Sequence, residues 1–169
     1  MLLRYCHMAA GRMLRAPLLQ SGCGHHARWR PRQETSVKLR TYIVEDNATI
    51  RENLIGTLEE LADVEAVGMA ETEDEGKDWL STNAGEWDLA IVDLFLRQGS
   101  GLGVLAACRN RNAGQKMVVL SNYATPDVRM RCAQLGVDAV FDKSNEIDAL
   151  VDYCIEHSSQ QAASRQMAG

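Results

Sequence analysis

The chain has 169 residues, of which 46% are hydrophobic, so it can bury one good core but is too short for two ordinary domains. Residues 1–36 carry six arginines and one acid, whereas the remainder carries 12 basic and 22 acidic side chains. Such an acidic domain lacks the basic surface that displaces counterions from nucleic acid, which argues against direct DNA binding and for protein or metal partners. No apolar run approaches the roughly 18 residues of a membrane span, so we expect a soluble protein without membrane contact.

The first 36 residues need an interpretation of their own. Their Arg-rich, acid-poor composition is similar to that of an organellar transit peptide. Alternatively, a GTG start codon read as an internal valine would place the true start at Val37. We favour this mis-assigned start, or a disordered extension, over targeting. Zinc binding by the cysteines and histidines of this segment is not expected, because paired ligand spacing is absent. The domain is predicted to span residues 37–158, with a frayed tail over 159–169.

Capping residues mark where the first helices of the domain begin. Leu39–Val44 is a short apolar run typical of a buried strand, and Asn47 is available to cap the helix after it. That helix is indicated by apolar residues at helical spacing, which are Ile50, Leu54, Leu58 and Leu61. Val64–Met69 is a second predicted strand. Thr72 with Glu75 three positions later forms a capping box that opens the second helix.

The middle of the chain repeats the alternation of strand and helix. Leu89–Val92 is the third predicted strand, and a Gly-rich loop separates it from a helix over Leu102–Cys108. Met117–Leu120 is the fourth strand. Thr125, followed by proline at the first helical position, opens the fourth helix, and Gly136 stands where a helix-ending glycine belongs.

The last strand and helix complete the pattern. Ala139–Phe141 is a short fifth strand, and the fifth helix carries one apolar stripe, formed by Ile147, Leu150, Val151, Cys154 and Ile155. Cys108, Cys132 and Cys154 lie in apolar helical patterns and are interpreted as reduced core residues, which indicates a cytoplasmic protein. Five strands alternating with five helices predict an α/β fold with a doubly wound, mostly parallel sheet.

Polar residues stand at the carboxyl ends of four predicted strands, where open parallel sheets bind ligands. Glu45 and Asp46 follow the first strand, Asp93 the third and Ser121 the fourth, while Lys143 comes shortly after the fifth. Three crowded carboxylates repel one another unless a positive charge lies between them. A divalent cation with oxygen ligands relieves this repulsion, and Mg²⁺ suits a site that awaits a phosphate. The hydroxyl and the ammonium would then hold phosphoryl oxygens.

These five positions resemble the receiver domain of bacterial two-component response regulators, over roughly residues 38–158. The resemblance implies a flavodoxin-like fold with strand order 2-1-3-4-5. It also implies that Asp93, in IVDLFL, is the phosphorylated aspartate and a metal ligand. Glu45 and Asp46, in IVEDN, match the acidic pair that organises Mg²⁺. The main-chain carbonyl of Phe95 matches the remaining protein ligand of the metal.

The same resemblance extends to the activation chemistry and the partners. Ser121, in VVLSNYA, matches the switch hydroxyl, and Lys143, in FDKS, matches the lysine that pairs with the phosphoryl group. The phosphoryl donor would be the phosphohistidine of a sensor histidine kinase or a histidine phosphotransfer protein. The domain would thus catalyse its own phosphorylation and dephosphorylation rather than turn over a separate substrate.

The output is expected to be a protein contact. About a dozen residues follow the fifth helix, so we expect a stand-alone receiver that has no DNA-binding output domain and binds a downstream protein target. A homodimer through the face of helix 4, strand 5 and helix 5 is a further hypothesis.

Four residues depart from the family pattern or bear on access to Asp93. Asn122 is bulkier than the residue usual after the switch hydroxyl, and Val140 stands where an aromatic often reports the switch. Phe95 and Tyr123 are predicted to flank the site and to shield an acyl phosphate from water, although both could simply cover the edge of the core.

Alternative functions remain open on the sequence. One is a pseudo-receiver that binds a protein without phosphorylation. A second is an aspartate-nucleophile phosphatase, which would need an acid where Phe95 stands. The glycines of RQGSGLG are interpreted as a flexible loop and helix start rather than a dinucleotide site, because the full G-x-G-x-x-G is absent.

Overall fold

The computed structural model describes residues 38–167, so the expectations for residues 1–36 and for a start at Val37 lie outside the described residues. In this range the strands are β1 (Leu39–Val44), β2 (Val64–Ala70), β3 (Leu89–Val92), β4 (Lys116–Ser121) and β5 (Ala139–Asp142). The helices are α1 (Ala48–Leu61), α2 (Glu73–Thr82), α3 (Gly101–Ala107), α4 (Pro126–Gln134) and α5 (Ile147–Met167). Each predicted element is present, and the predicted strand ends differ from the observed ones by at most one residue.

The strands form one parallel sheet in the order β2-β1-β3-β4-β5, which confirms the doubly wound, flavodoxin-like fold. β1 therefore lies between β2 and β3, with Ile43 opposite Ile91 of β3. The β1–β2 register shifts between Thr41 and Tyr42. Because all strands run in one direction, their carboxyl ends meet at one edge of the sheet.

Alternate residues of the central strands enter two separate cores, one on each face of the sheet. The core beneath α1 and α5 includes Leu39, Ile43, Leu89, Ile91, Val118, Leu120, Leu150 and Cys154. The core beneath α2, α3 and α4 includes Tyr42, Val44, Ala90, Val92, Met117, Val119, Val104 and Cys132. Burial on both faces explains why these strands are continuously apolar. Cys132 and Cys154 are buried free thiols, as predicted for core residues, and burial raises the pKa of Cys154 to about 12.

Helix capping agrees with the sequence. The side chains of Asn47, Thr72 and Thr125 each accept a hydrogen bond from the backbone N–H three residues further on. Gly136, after α4, has a φ of +77°, a conformation that glycine adopts without a steric penalty. None of the helices in the described part of the chain is long and apolar enough to cross a membrane.

The C-terminal region differs from the frayed tail expected over residues 159–169, because α5 continues to Met167. Alanine and glutamine, frequent after Ser159, are good helix formers. The extension is also anchored, since Gln161 Nε2 donates a hydrogen bond to the carbonyl of Gly114 at 2.9 Å. The polar composition of this segment was therefore a poor guide to its secondary structure.

Candidate phosphoryl-transfer site

The five predicted site residues lie together at the carboxyl edge of the sheet. Glu45 and Asp46 follow β1, Asp93 follows β3, Ser121 ends β4, and Lys143 follows β5. All five line one cavity of about 200 Å³. The topology explains this convergence, because residues almost 100 positions apart come together only when parallel strands end side by side.

Lys143 forms the electrostatic centre of the site. Its Nζ lies 2.5 Å from Glu45 Oε2 and 2.7 Å from Asp93 Oδ2. All three side chains are less than 10% exposed. Burial lowers the pKa of Lys143, but its hydrogen bonds to Asp93 and Glu45 outweigh burial, so the pKa lies above its usual value. The lysine is therefore a buried cation shared by two carboxylates.

Asp46 has a different partner. Arg97 Nε lies 3.1 Å from Asp46 Oδ2, and the Arg97 backbone N–H donates to the same oxygen at 3.2 Å. The Arg97 side chain is 76% exposed, so solvent weakens this ion pair. The sequence gives no role to Arg97; its only signal is an arginine in the loop after Asp93.

The acidic side chains form an oxygen donor set suited to a hard cation. Glu45, Asp46 and Asp93 each offer a carboxylate oxygen, and these oxygens lie within 4.8 Å of one another. Mg²⁺ prefers such oxygen ligands and retains water at its other positions. The donor chemistry thus fits Mg²⁺, and the predicted fourth ligand, Phe95, also lines the cavity.

Ser121 is a buried hydroxyl without a partner. The residue is fully buried, and its Oγ has no hydrogen-bond partner among the described residues. A buried polar group left unpaired costs about 1–3 kcal/mol, so such a group calls for an explanation. A phosphoryl oxygen arriving on Asp93 would supply an acceptor for this hydroxyl.

Aromatic side chains border the cavity at its solvent side. Phe95 and Tyr123 are 56% and 60% exposed, and their rings meet edge to face with centroids 4.9 Å apart. Asn122 also lines the cavity. Val140 is not among the lining residues, and it packs against the core beneath α2, α3 and α4. Of the four residues predicted to affect access, three therefore border the site directly.

Two contacts that sequence reasoning missed hold the acidic strand ends in place. Arg51 of α1 is buried; it donates to the carbonyl of Glu45 at 2.7 Å and pairs with Glu71 at 2.8 Å. Gly101, at the start of α3, lies so close to Asp93 that an added Cβ would be 2.0 Å from the Asp93 carbonyl oxygen. The only signals were a lone arginine beside the apolar stripe of α1 and a glycine among several in a loop.

The fold and the site together define a flavodoxin-like α/β domain with a carboxylate–lysine centre at the carboxyl edge of its sheet. The sequence matches the response regulator receiver domain family over residues 41–154. The chain therefore belongs to the response regulator receiver domain family of two-component systems. No curated protein sequence matches the chain significantly.

Solved structures of receiver domains share the fold. The signal receiver domain of NarL from Mycobacterium tuberculosis is 20% identical, with a TM-score of 0.63 over 72% of this chain and 97% of its own. That of a Luxo repressor protein from Vibrio parahaemolyticus is 17% identical, with a TM-score of 0.64 over 78% of this chain and 98% of its own. The response regulator domain of CheB from Thermotoga maritima is 16% identical, with a TM-score of 0.61 over 75% and 97% of the two chains. At such low identity the likeness concerns the fold.

Proposed function

We propose that this receiver domain accepts a phosphoryl group on Asp93 in a Mg²⁺-dependent reaction. The donor is the phosphohistidine of a sensor histidine kinase or a histidine phosphotransfer protein. The observation that carries the proposal is the shared cavity of about 200 Å³, which gathers Asp93, Lys143, Ser121 and the acidic pair at the edge of the sheet.

The reaction follows from the positions of these groups. An Asp93 carboxylate oxygen attacks phosphorus, the P–O bond forms, and the P–N bond to the donor imidazole breaks as the imidazole leaves. Lys143 Nζ, already 2.7 Å from Asp93 Oδ2, offsets negative charge on the phosphoryl oxygens. The Ser121 hydroxyl donates to one of these oxygens. Hydrolysis of the acyl phosphate returns the site to its initial state.

The cation would be held by carboxylate oxygens of Glu45, Asp46 and Asp93 and by the main-chain carbonyl of Phe95. When bound, Mg²⁺ supplies positive charge that stabilises the transferring phosphoryl group. Lys143 already neutralises part of the charge on Glu45 and Asp93. Asp46, in the described part of the chain, pairs only with the exposed Arg97, so its charge is the least compensated of the three without the cation.

Asp46→Ala is expected to abolish Mg²⁺ binding while leaving the fold intact, because within residues 38–167 its side chain pairs only with Arg97, which lies on an exposed loop. Isothermal titration with Mg²⁺ measures the binding, and circular dichroism checks the fold. Arg97→Ala is the matched control; it removes the guanidinium but keeps the backbone N–H that donates to Asp46 Oδ2, and it should tighten Mg²⁺ binding by up to about fivefold, the value of an exposed ion pair. Unchanged Mg²⁺ affinity in Asp46→Ala would remove Asp46 from the ligand set.

The function is tested by phosphorylating the full chain with acetyl phosphate and Mg²⁺ and measuring intact mass. We expect a gain of one phosphoryl group in the wild type and no gain when EDTA is present from the start of the reaction or in Asp93→Asn. Asp152→Asn, an exposed aspartate on α5, is the matched control and should be phosphorylated like the wild type. If neither acetyl phosphate nor beryllofluoride acts in the presence of Mg²⁺, the alternative of a phosphorylation-independent binding module takes the place of this proposal.

Tyr123→Ala is expected to shorten the lifetime of the aspartyl phosphate severalfold, because the Tyr123 ring and Phe95 border the cavity where water must attack. The measurement is the loss of phosphoryl mass over time after the donor is removed. The control is Met130→Ala, because Met130 is an exposed apolar residue on α4. Tyr153→Ala is less suitable, because Tyr153 packs against the core beneath α1 and α5. An unchanged lifetime in Tyr123→Ala would show that the Tyr123 ring does not shield the acyl phosphate from water.

The output is proposed to be protein–protein contact in the cytoplasm, without direct DNA binding. The acidic charge of the domain supports this, because nucleic-acid binding needs a basic surface. The face of α4, β5 and α5 is the proposed surface for a downstream target or for a second copy of the chain.

A further inference from the structure

Arg129 of α4 joins three parts of the structure through one guanidinium group. Its Nε donates to the carbonyl of Ala124 at 3.1 Å, and its Nη1 donates to the carbonyl of Val140 in β5. Its Nη2 lies 2.6 Å from Glu146 Oε2, just before α5. Ala124 is three residues after Ser121, so the guanidinium reaches from the loop that follows the switch hydroxyl to the start of the last helix.

Glu146 carries this connection to the turn that holds Lys143. The same oxygen, Oε2, also accepts a hydrogen bond from the backbone N–H of Asp142 at 2.7 Å. The backbone N–H of Glu146 in turn donates to the Asp142 carbonyl at 2.9 Å. These two hydrogen bonds join the two ends of the turn from Asp142 to Glu146, and Lys143 lies within this turn. The hydrogen bonds from Arg129 and from the Asp142 backbone lower the pKa of Glu146, which therefore keeps its charge.

We infer that the Arg129–Glu146 pair is a positioning device that couples the loop after Ser121 to the turn bearing Lys143. The inference rests on the proposed phosphorylation of Asp93. The position three before Lys143 is Val140, whose aliphatic side chain lies in the core and lacks a polar group. The strand ends themselves are joined directly, because the Lys143 backbone N–H donates to the Ser121 carbonyl at 3.2 Å. The Val140 backbone carbonyl accepts from Arg129, so the arginine adds a second link, from the loop after Ser121 to the start of α5.

The geometry of the guanidinium makes this link sensitive to movement of the loop. A guanidinium is planar and its donors are fixed in a fork, so it satisfies three acceptors only while these keep their relative positions. If Ser121 moves toward a phosphoryl group, Ala124 shifts with the loop, and Arg129 must move or release an acceptor. Either change would alter the contact between Arg129 and Glu146, and with it the position of the first turn of α5.

The test compares the response to beryllofluoride in ¹⁵N-labelled full-length chain at saturating Mg²⁺. Amide shifts are recorded with and without beryllofluoride for residues 122–125 and for the first turn of α5. The wild type is expected to respond in both segments. Arg129→Lys keeps the positive charge but removes the forked guanidinium donors. We expect this variant to retain the response in the loop and to lose the response in α5. Glu146→Gln, which keeps an acceptor oxygen for Asp142, should show the same loss.

Arg131→Lys is the matched control on the same helix, and it should respond like the wild type in both segments. Urea unfolding of each variant separates a loss of stability from a loss of coupling, because reduced stability alone does not select one segment. A wild-type response in α5 by both Arg129→Lys and Glu146→Gln overturns the inference. The absence of any Mg²⁺-dependent response in the wild type itself overturns the proposed function and the inference with it.

Discussion

Gly101→Ala is expected to lower the free energy of unfolding by about 3 kcal/mol or more and to abolish phosphorylation of Asp93. The added Cβ would lie 2.0 Å from the Asp93 carbonyl oxygen and 2.9 Å from Leu94 Cα. Because the obstacle is backbone rather than a flexible side chain, relief of the clash requires the chain at Asp93 to move. Forcing extra volume into a packed site typically costs 1–3 kcal/mol, and more where the backbone must shift. Urea unfolding and intact mass after treatment with acetyl phosphate measure the two effects.

Two other glycines provide controls for this substitution. At Gly103 the added Cβ would be 1.9 Å from Glu73 Oε1, the end of a side chain that can rotate away, so Gly103→Ala should cost less than Gly101→Ala and preserve phosphorylation. Gly56, within α1, has nothing within 4 Å of an added Cβ, and Gly56→Ala should stabilise the protein by about 0.5–1 kcal/mol through helix propensity. Equal losses at Gly101 and Gly56 would exclude the close approach to Asp93 as the cause.

Lys143→Met is the second substitution with a large expected effect, a loss of about 3–5 kcal/mol in the free energy of unfolding without Mg²⁺. The lysine is the shared cation of Glu45 and Asp93, and its removal leaves two buried carboxylates without their partner. A divalent cation at the acidic cluster would replace part of the lost charge. Mg²⁺ should therefore stabilise Lys143→Met more than it stabilises the wild type, as measured by urea unfolding with and without the metal.

Lys77→Met is the matched control for the loss of a lysine. Lys77 pairs with Glu73 one turn earlier on α2, and its side chain is 34% exposed, so the same substitution should cost less than about 1 kcal/mol. Mg²⁺ should stabilise Lys77→Met no more than it stabilises the wild type. If Lys143→Met proves as mild as Lys77→Met, the two carboxylates do not depend on the lysine for their burial.

The fold and the central residues were predictable from the sequence because both follow from local patterns. The apolar runs define strands such as Leu89–Val92, and capping residues such as Thr125 define where helices begin. Once strands alternate with helices, parallel topology brings the residues that follow each strand to one edge. Glu45 and Lys143, 98 positions apart, could therefore be placed in one site without a structure.

The supporting contacts were not predictable, because they depend on where long side chains reach. Arg51, Arg97 and Arg129 contact groups on other elements, and nothing in their sequence neighbourhood names those partners. The end of α5 was mispredicted for a different reason: its polar composition suggested a frayed tail, whereas alanine and glutamine continue the helix. Val140 also shows that a side chain expected near the site can face the core while its carbonyl takes part in the network.

The two separate cores have a consequence for how a signal would divide between the faces of the sheet. Alternate residues of β1 and β3 face α1 and α5, and continuing this alternation past the strand ends places Glu45 and Asp93 over that layer. In β4 the residues at odd positions face the other layer, so Ser121 lies over α2, α3 and α4. Glu45 and Asp93 thus stand over the layer of α1 and α5, whereas the hydroxyl stands over the layer that would feel its displacement first. A displacement of Ser121 would therefore begin on one face of the sheet and reach α5, on the other face, by way of Arg129 and Glu146.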